Sequence, residues 1–154
     1  MIDFPTMSAA PASVIDILNG LLEAEVNSVF RFMESGHPYL DRASAEIRRP
    51  LQEMVIAGER RAAELANLID SLGGSPVPRR VAPEEQYLAY LSLKFLLPRL
   101  VSAMELKIRR YENAMKALNG ASPEVMNLLS AHLREHRQQL QILQKTADQV
   151  VKSR

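Results

Sequence analysis

The sequence contains no cysteine. This absence excludes disulfide bonds, iron–sulfur clusters and thiolate zinc sites, so any bound metal would need carboxylate and imidazole ligands. Positive and negative side chains nearly balance, and the formal net charge is +1. The charge balance therefore gives no electrostatic reason to expect nucleic acid or an anionic membrane as a partner.

Long hydrophobic runs are absent as well. Segments such as 95–97 (Phe-Leu-Leu) are short and are flanked by charge or proline, so no membrane-spanning segment is predicted. Residues 1–11 have neither the basic nor the apolar region of a secretory signal. We therefore expect a cytoplasmic protein, with residues 1–12 as a flexible segment and residues 13–154 as a single domain.

The sequence does contain apolar residues at helical spacing. Hydrophobic residues make up 47% of the 154 residues, which is enough for one substantial core. The apolar stripes and the helix-ending residues predict four helices. They run from about Ser13 to Ser35, from about Ala43 to Leu72, from Pro83 to about Leu118, and from Pro123 onwards.

Prolines and glycines punctuate these helices. Pro50 should kink or split the second helix, and Pro98 should kink the third. Gly73-Gly74 is typical of a helix C-cap, while Ser122 before Pro123 is typical of a helix start. No segment shows the alternation of a strand, and residues 75–82 form the longest connection. The sequence therefore predicts an all-α, antiparallel four-helix bundle with a long crossover between the second and third helices.

Each predicted helix carries one polar residue on or beside its apolar stripe. These residues are Glu25, Arg61, Glu105 and His136. Because an unpaired buried charge is costly, we expect the four side chains to meet one another at the bundle centre. Tyr111 is interpreted as a core tyrosine with a hydrogen-bonded hydroxyl, and Glu135 is expected to face away.

The motifs around these residues resemble those of the ferritin-like superfamily, especially bacterioferritin-like and rubrerythrin-like proteins. The matching segments are Leu18-Asn19-x-x-Leu22-x-x-Glu25, Arg61-Ala62-x-x-Leu65 with Leu72-Gly73-Gly74, Glu105-x-x-Ile108-x-x-Tyr111, and His136-x-x-x-Leu140. The resemblance implies a ferritin-like bundle that assembles as a homodimer or a higher homo-oligomer. It also implies a di-metal centre built from glutamates and two Glu-x-x-His pairs.

The chain departs from that pattern at several ligand positions. The Glu-x-x-His of the second helix is replaced by Gly58-x-x-Arg61, and that of the fourth by Leu133-x-x-His136. Glu59 stands where bacterioferritins carry a haem-ligating methionine. The ligand types that remain are Glu25, Glu105 and His136.

Two interpretations follow from these departures. In the first, Arg61 pairs with Glu25 and Glu105, and the protein lacks a standard di-iron ferroxidase centre, catalytic residues and a cofactor. Its role would be that of a ferritin-like homo-oligomer, or a module for an unidentified protein partner. In the second, Glu25, Glu105 and His136 bind iron or another divalent transition metal for iron oxidation, storage or peroxide chemistry. A small rotation of the second helix would then add Glu59 as a further ligand.

Overall fold

The structure, a computed structural model, describes residues 12–28, 45–77 and 92–152. Within these ranges the chain forms four α-helices and no strand. They are α1 (Ala12–Val26), α2 (Ala45–Ser71), α3 (Leu93–Ala117) and α4 (Pro123–Lys152). Helix α1 packs mainly on α2 and α3 mainly on α4, while α2 also contacts α4 and α1 contacts α3. This is the predicted antiparallel four-helix bundle, with the long crossover between α2 and α3.

Two of the predicted helix ends are confirmed. At the end of α2, Gly73 has a φ of 87°, and the amide of Gly74 donates to the carbonyl of Ile69 at 3.0 Å. This is the left-handed glycine cap that the sequence predicts. Helix α4 begins at Pro123, and the hydroxyl of Ser122 accepts a hydrogen bond from the amide of Val125 at 3.4 Å.

Two other predicted ends lie outside the described residues. Helix α3 begins at Leu93, after Ser92 with extended backbone (φ −63°, ψ 157°), and the start predicted at Pro83 falls before the described range. Helix α1 ends at Val26, where the bond from the amide of Ser28 to the carbonyl of Glu25 closes its last turn, and the end predicted near Ser35 falls beyond the described range. Residues 29–44, 78–91 and most of the predicted flexible segment 1–12 lie outside the described residues.

The prolines do not divide the helices. Pro50 lies inside α2 and Pro98 lies inside α3, and each helix is assigned without interruption through its proline. Of the two outcomes predicted at Pro50, the split is therefore wrong and the kink stays a prediction, as it does at Pro98. None of the described helices is long and apolar enough to cross a membrane.

The start of the crossover is fixed to α1 by a single side chain. The amide nitrogen of Asn19 donates to the carbonyl of Ser75 at 3.2 Å, and its oxygen accepts from the amide of Val77 at 2.8 Å. At the same end of the bundle Gly74 approaches α1 closely, since a Cβ placed there would lie 2.7 Å from Ile15. The crossover therefore leaves the bundle along a defined path beside α1.

The core is built mainly from leucine. Leu18, Leu65, Leu100 and Leu129, one from each helix, are fully buried. The same interior also contains ionisable groups, and Arg61 is among its largest fully buried side chains. A buried arginine needs partners, and those partners define the candidate site.

Candidate functional site

Glu25 on α1 is the centre of a buried polar cluster. Its side chain is completely inaccessible to solvent. One carboxylate oxygen, Oε2, accepts hydrogen bonds from Arg61 Nε at 3.0 Å and from the Tyr111 hydroxyl at 2.8 Å. The Nε2 atom of His136 lies 2.8 Å from the same oxygen, and Lys107 Nζ donates to Oε1 at 3.3 Å. We call these five residues the buried charge cluster, and every helix of the bundle contributes to it.

Arg61 on α2 uses its guanidinium to join two carboxylates. Its Nε contacts Glu25, and its Nη1 contacts Glu135 on α4 and lies 3.4 Å from the Gln139 side-chain oxygen. A Cβ placed on Gly58 would be 3.7 Å from Arg61 Nη2. A Cβ alone would therefore make an ordinary van der Waals contact with the guanidinium, and only a longer side chain at position 58 would compete with Arg61 for space.

Lys107 on α3 is the group that the sequence analysis missed. It is only 6% exposed, although lysine is among the residues least often buried. Burial lowers its pKa, and the carboxylate of Glu25 partly offsets this effect. Lys107 and Arg61 therefore contact opposite oxygens of the same carboxylate.

The ionisation of Glu25 follows from these contacts. Burial by itself would raise the pKa of Glu25, but Lys107, the hydrogen bond from His136 and the charge of Arg61 together hold that pKa well below its usual range. Counting ionised Glu25 and Glu135 against Arg61 and protonated Lys107, the charges cancel. Together with Glu135 at the rim, the buried charge cluster is therefore neutralised by side chains alone.

His136 on α4 is neutral in this setting. Burial lowers its pKa to about 4, and the favourable effect of Glu25 is too small to reverse this because Arg61 and Lys107 already surround the carboxylate. A neutral His136 donates its Nε2–H to Glu25. Its Nδ1 lies 3.2 Å from the sulfur of Met104.

A second histidine connects the cluster to the rim of the bundle. His132 is 2% exposed, and its Nδ1 lies 3.1 Å from the Tyr111 hydroxyl. Its Nε2 lies 3.0 Å from Oε1 of Glu64, whose side chain is 39% exposed and also accepts from Arg60 at 2.7 Å. Burial lowers the pKa of His132, and its hydrogen bond to Glu64 acts in the opposite direction.

The expected placement of Glu105 is wrong. Glu105 is exposed, while Met104 and Lys107 are buried. A residue one position after Met104 projects about 100° round the helix from it, whereas Lys107 projects about 60° to the other side, the side that faces the core. The structure therefore brings Glu25, Arg61 and His136 together and leaves Glu105 out. Arg61 pairs with Glu25, and its second carboxylate is Glu135.

Two further glutamates, Glu59 and Glu135, lie on opposite sides of the question of which carboxylates reach the cluster. Glu59 is exposed, because α2 turns Gly58 and Arg61 towards the bundle and Glu59 away from it. Glu135, expected to face away, contacts both Arg60 and Arg61. Its side chain leaves the helix beside the inward stripe and is long enough to reach the guanidinium groups at the rim. Tyr111 lies in the core with a hydrogen-bonded hydroxyl, as predicted.

The described residues contain no group of three or more His, Asp or Glu side chains arranged to hold a metal ion. Glu25 and His136 are adjacent, but their facing atoms are joined by a hydrogen bond, and the third predicted ligand is on the outside of the bundle. Within the same ranges, no buried side-chain nitrogen or oxygen lacks a hydrogen-bond partner. Each buried polar side chain of the cluster thus has at least one hydrogen-bond partner.

Comparison with known proteins identifies the fold. No protein-family model and no curated protein matches the chain. Among solved structures, a bacterioferritin from Desulfovibrio desulfuricans, described with a diiron site in different catalytic states, is similar with a TM-score of 0.76 and 18% identity. The similarity covers 90% of this chain and 80% of that one.

A second similar structure is the bacterioferritin-related protein of Bacteroides fragilis, described as a dodecameric thioferritin. Its TM-score is 0.74 at 22% identity, over 96% of this chain and 92% of that one. At 18% and 22% sequence identity, structural similarity establishes the fold of the chain but not its function. The chain has a ferritin-like four-helix bundle fold, as its motifs predict.

Proposed function

We propose that this protein is a ferritin-like bundle without ferroxidase chemistry, in which the buried charge cluster takes the structural place of a metal centre. Its role would be that of a subunit in a homo-oligomer, with cytoplasmic location as the sequence predicts. The observation that carries the proposal is the pair of cations, Arg61 and Lys107, on the two oxygens of Glu25.

The electrostatics support this proposal. Two metal ions in a bundle need several carboxylates, some of them bridging, to offset their charge. Here the inward positions carry Gly58, Arg61, Lys107 and Leu133, and only Glu25 supplies a fully buried carboxylate among the described residues. A divalent cation beside Glu25 would be repelled by two positive side chains within hydrogen-bonding distance of the same carboxylate. The described donor set does not fit a di-metal centre.

The alternative proposal, a single iron or other transition metal on Glu25, Glu105 and His136, is weakened by the same geometry. Glu105 would have to move from the outside of α3 to its inner face, and Lys107 would have to leave Glu25. Both changes need a rotation of α3, which also carries the buried Leu100 and Tyr111. This alternative therefore requires repacking of the core.

Metal analysis and iron oxidation test the proposal directly. Protein purified without chelators should contain far less than one metal ion per chain. Iron(II) added without oxygen and then exposed to air should give no faster rise in ferric absorbance than buffer alone. Stoichiometric iron, manganese or zinc, or a protein-dependent ferric signal, would overturn the proposal and favour the metal-binding alternative.

A reversal variant provides the matched positive control. Gly58→Glu, Arg61→His, Lys107→Glu and Leu133→Glu together would supply carboxylates and imidazole at the inward positions and remove both cations. This variant should bind iron, and adding Glu25→Gln to it should weaken that binding. If the folded reversal variant binds no iron, the assignment of these positions as a former metal centre is wrong.

The oligomeric part of the proposal rests on the dodecameric assembly described for the Bacteroides fragilis protein. Sedimentation of the purified chain should give a mass of at least twice the 17.3 kDa of one chain. A species that stays monomeric at micromolar concentration would contradict the role as an assembly subunit. It would leave the interpretation of the charge cluster intact.

A further inference from the structure

A continuous chain of hydrogen bonds connects the surface to the centre of the bundle. It runs from Glu64 on α2 to His132 on α4, then to Tyr111 on α3, and ends at Glu25 on α1. We call it the proton chain. The donor–acceptor distances along it are 3.0, 3.1 and 2.8 Å. All of them are ordinary hydrogen-bond distances, so each link needs one hydrogen atom.

The number of hydrogens does not match the number of links when His132 is neutral. An ionised carboxylate only accepts, so Glu64 needs a proton on His132 Nε2, and Glu25 needs the Tyr111 hydroxyl proton. A neutral imidazole carries one proton and a phenol carries one, which gives two protons for three links. In either tautomer of neutral His132, one of the three links therefore has no hydrogen, and the lone pairs of its two atoms face each other.

One added proton satisfies every link. With both ring nitrogens of His132 protonated, Nε2 donates to Glu64, Nδ1 donates to the Tyr111 oxygen, and Tyr111 donates to Glu25. When His132 loses that proton from Nδ1, Tyr111 can turn its hydroxyl to His132 and leave Glu25. We propose that His132 is a pH-sensitive switch that decides whether Tyr111 donates its proton to Glu25 or to His132.

The charged groups around His132 determine when it changes state. Glu64 from α2 and Glu25 from α1 favour the protonated ring, while burial and Arg61 from α2 oppose it. From α3 the hydroxyl and the ring of Tyr111 contact His132, and His136 on its own helix is neutral. Glu64 is partly exposed, so the proton has a path from solvent to Nε2. Burial is the largest of these effects and lowers the pKa of His132, so the ring should take up its second proton below the ordinary value of 6.5 for histidine.

Nitrogen-15 NMR of the histidine rings measures this switch. We expect both ring nitrogens of His132 to shift together on acidification, at a higher pH than those of His136. The ring signals that disappear in His132→Gln are those of His132. A His132 ring that keeps one neutral tautomer from pH 8 to pH 4.5 would overturn the proposal.

Two substitutions separate the switch from ordinary titration of a buried histidine. Tyr111→Phe removes the acceptor for Nδ1–H, so the proton affinity of His132 should fall about tenfold, which is about one pH unit. Glu64→Gln removes the carboxylate at the other end and should also lower that affinity. Unchanged midpoints in both variants would contradict the proposal.

Glu112→Gln is the matched control for Glu64→Gln. Glu112 has the same 39% side-chain exposure and is likewise paired with an arginine, Arg137, at 2.8 Å, but among the described residues it forms no hydrogen bond or ion pair with a histidine. This variant should leave the midpoint of His132 unchanged. If Tyr111→Phe fails to fold, comparison of the two glutamate variants still decides the outcome, since an equal effect of both would mean only a long-range change of charge.

Discussion

Lys107 Nζ lies 3.3 Å from Oε1 of Glu25, across the carboxylate from the oxygen that Arg61 contacts. A single buried anion thus compensates two buried cations, with Glu135 assisting at the rim. Because Glu25 is the shared counter-charge, removing its charge should lower the free energy of unfolding more than removing the charge of Lys107.

Glu25→Gln should destabilise the protein by about 3–5 kcal/mol, because it leaves Arg61 and Lys107 without their shared counter-charge in the core. Urea denaturation at neutral pH measures this loss. Asp16→Asn, an exposed acid on the same helix, is the control and should change the free energy of unfolding by less than about 0.5 kcal/mol. Equal effects of the two variants would mean that Glu25 does not compensate the cations.

Lys107→Met should destabilise less than Glu25→Gln, since Arg61 still neutralises Glu25. In the double variant the total loss should be smaller than the sum of the two single losses by at least about 1 kcal/mol, because Lys107 is no longer stranded without Glu25. A double-mutant cycle in urea provides this coupling energy. Strict additivity would show that the contact between the two side chains contributes nothing.

Stability should fall as the pH is lowered from about 6.5 towards 4. The unfolded chain protonates its histidine near the ordinary value of 6.5, whereas the pKa of His136 in the folded protein is lowered to about 4. Below pH 6.5 the unfolded state therefore binds more protons, and the folded state loses up to about 3 kcal/mol of relative stability by pH 4. Above pH 6.5 His136 is neutral in both the folded and the unfolded state, so this loss of stability is absent.

Urea midpoints at pH 7.5, 6, 5 and 4.5 test that dependence. His136→Gln keeps a donor to Glu25 but does not titrate, so its stability should vary less across this window. His132→Gln retains His136 and should keep most of the slope that His136 contributes. An unchanged slope in His136→Gln would contradict the neutral state assigned to this ring.

Glu135→Gln should cost about 1–2 kcal/mol, because it weakens the second carboxylate contact of the buried Arg61. Glu112→Gln is again the matched control, since its partner Arg137 is 55% exposed and surface ion pairs contribute about 0–1 kcal/mol. Thermal denaturation of both variants makes the comparison. Equal shifts in Tm would mean that Glu135 acts only as a surface charge.

Glycine substitutions test the packing of the crossover. Gly74→Ala should destabilise the protein by about 1–3 kcal/mol, because its Cβ would meet two carbons of Ile15 at 2.7 Å. Gly20→Ala, on the exposed side of α1 with nothing within 4 Å, should stabilise by about 0.5–1 kcal/mol. Chemical denaturation should therefore give changes in the free energy of unfolding of opposite sign for the two variants. A stabilising Gly74→Ala would contradict the close approach of the crossover to α1.

Sequence periodicity was sufficient for the helices and for part of the site. The stripes around Leu18 and Leu129, and the glycine cap at Gly73, are local signals that tertiary contacts reinforce. Glu25, Arg61 and His136 stand out because charged groups on an apolar stripe must find partners. These three were predicted to meet, and they do.

The rotation of each helix about its axis, which decides which residues face the core, was harder to predict than the helix itself. On α3 both Glu105 and Lys107 border the apolar stripe, and the resemblance to metal-binding relatives favoured the glutamate. The packing of α3 instead turns Lys107 inward, and the spacing of Leu100, Met104, Lys107 and Tyr111 by four, three and four residues already places Lys107 on the buried face. Glu135 was missed for a related reason, since the reach of a long side chain at the rim is not visible in the spacing of residues.

Because the four helices supply Glu25, Arg61, Lys107 and Glu135, whose charges balance, no single helix can come away from the others without leaving an unbalanced charge in apolar surroundings. Partly unfolded forms are thereby made costly, and the molecule should open as one cooperative unit. Amide hydrogen exchange at the centres of the four helices should accordingly converge on one common opening free energy. A bundle of the same shape held only by leucines would have no such requirement.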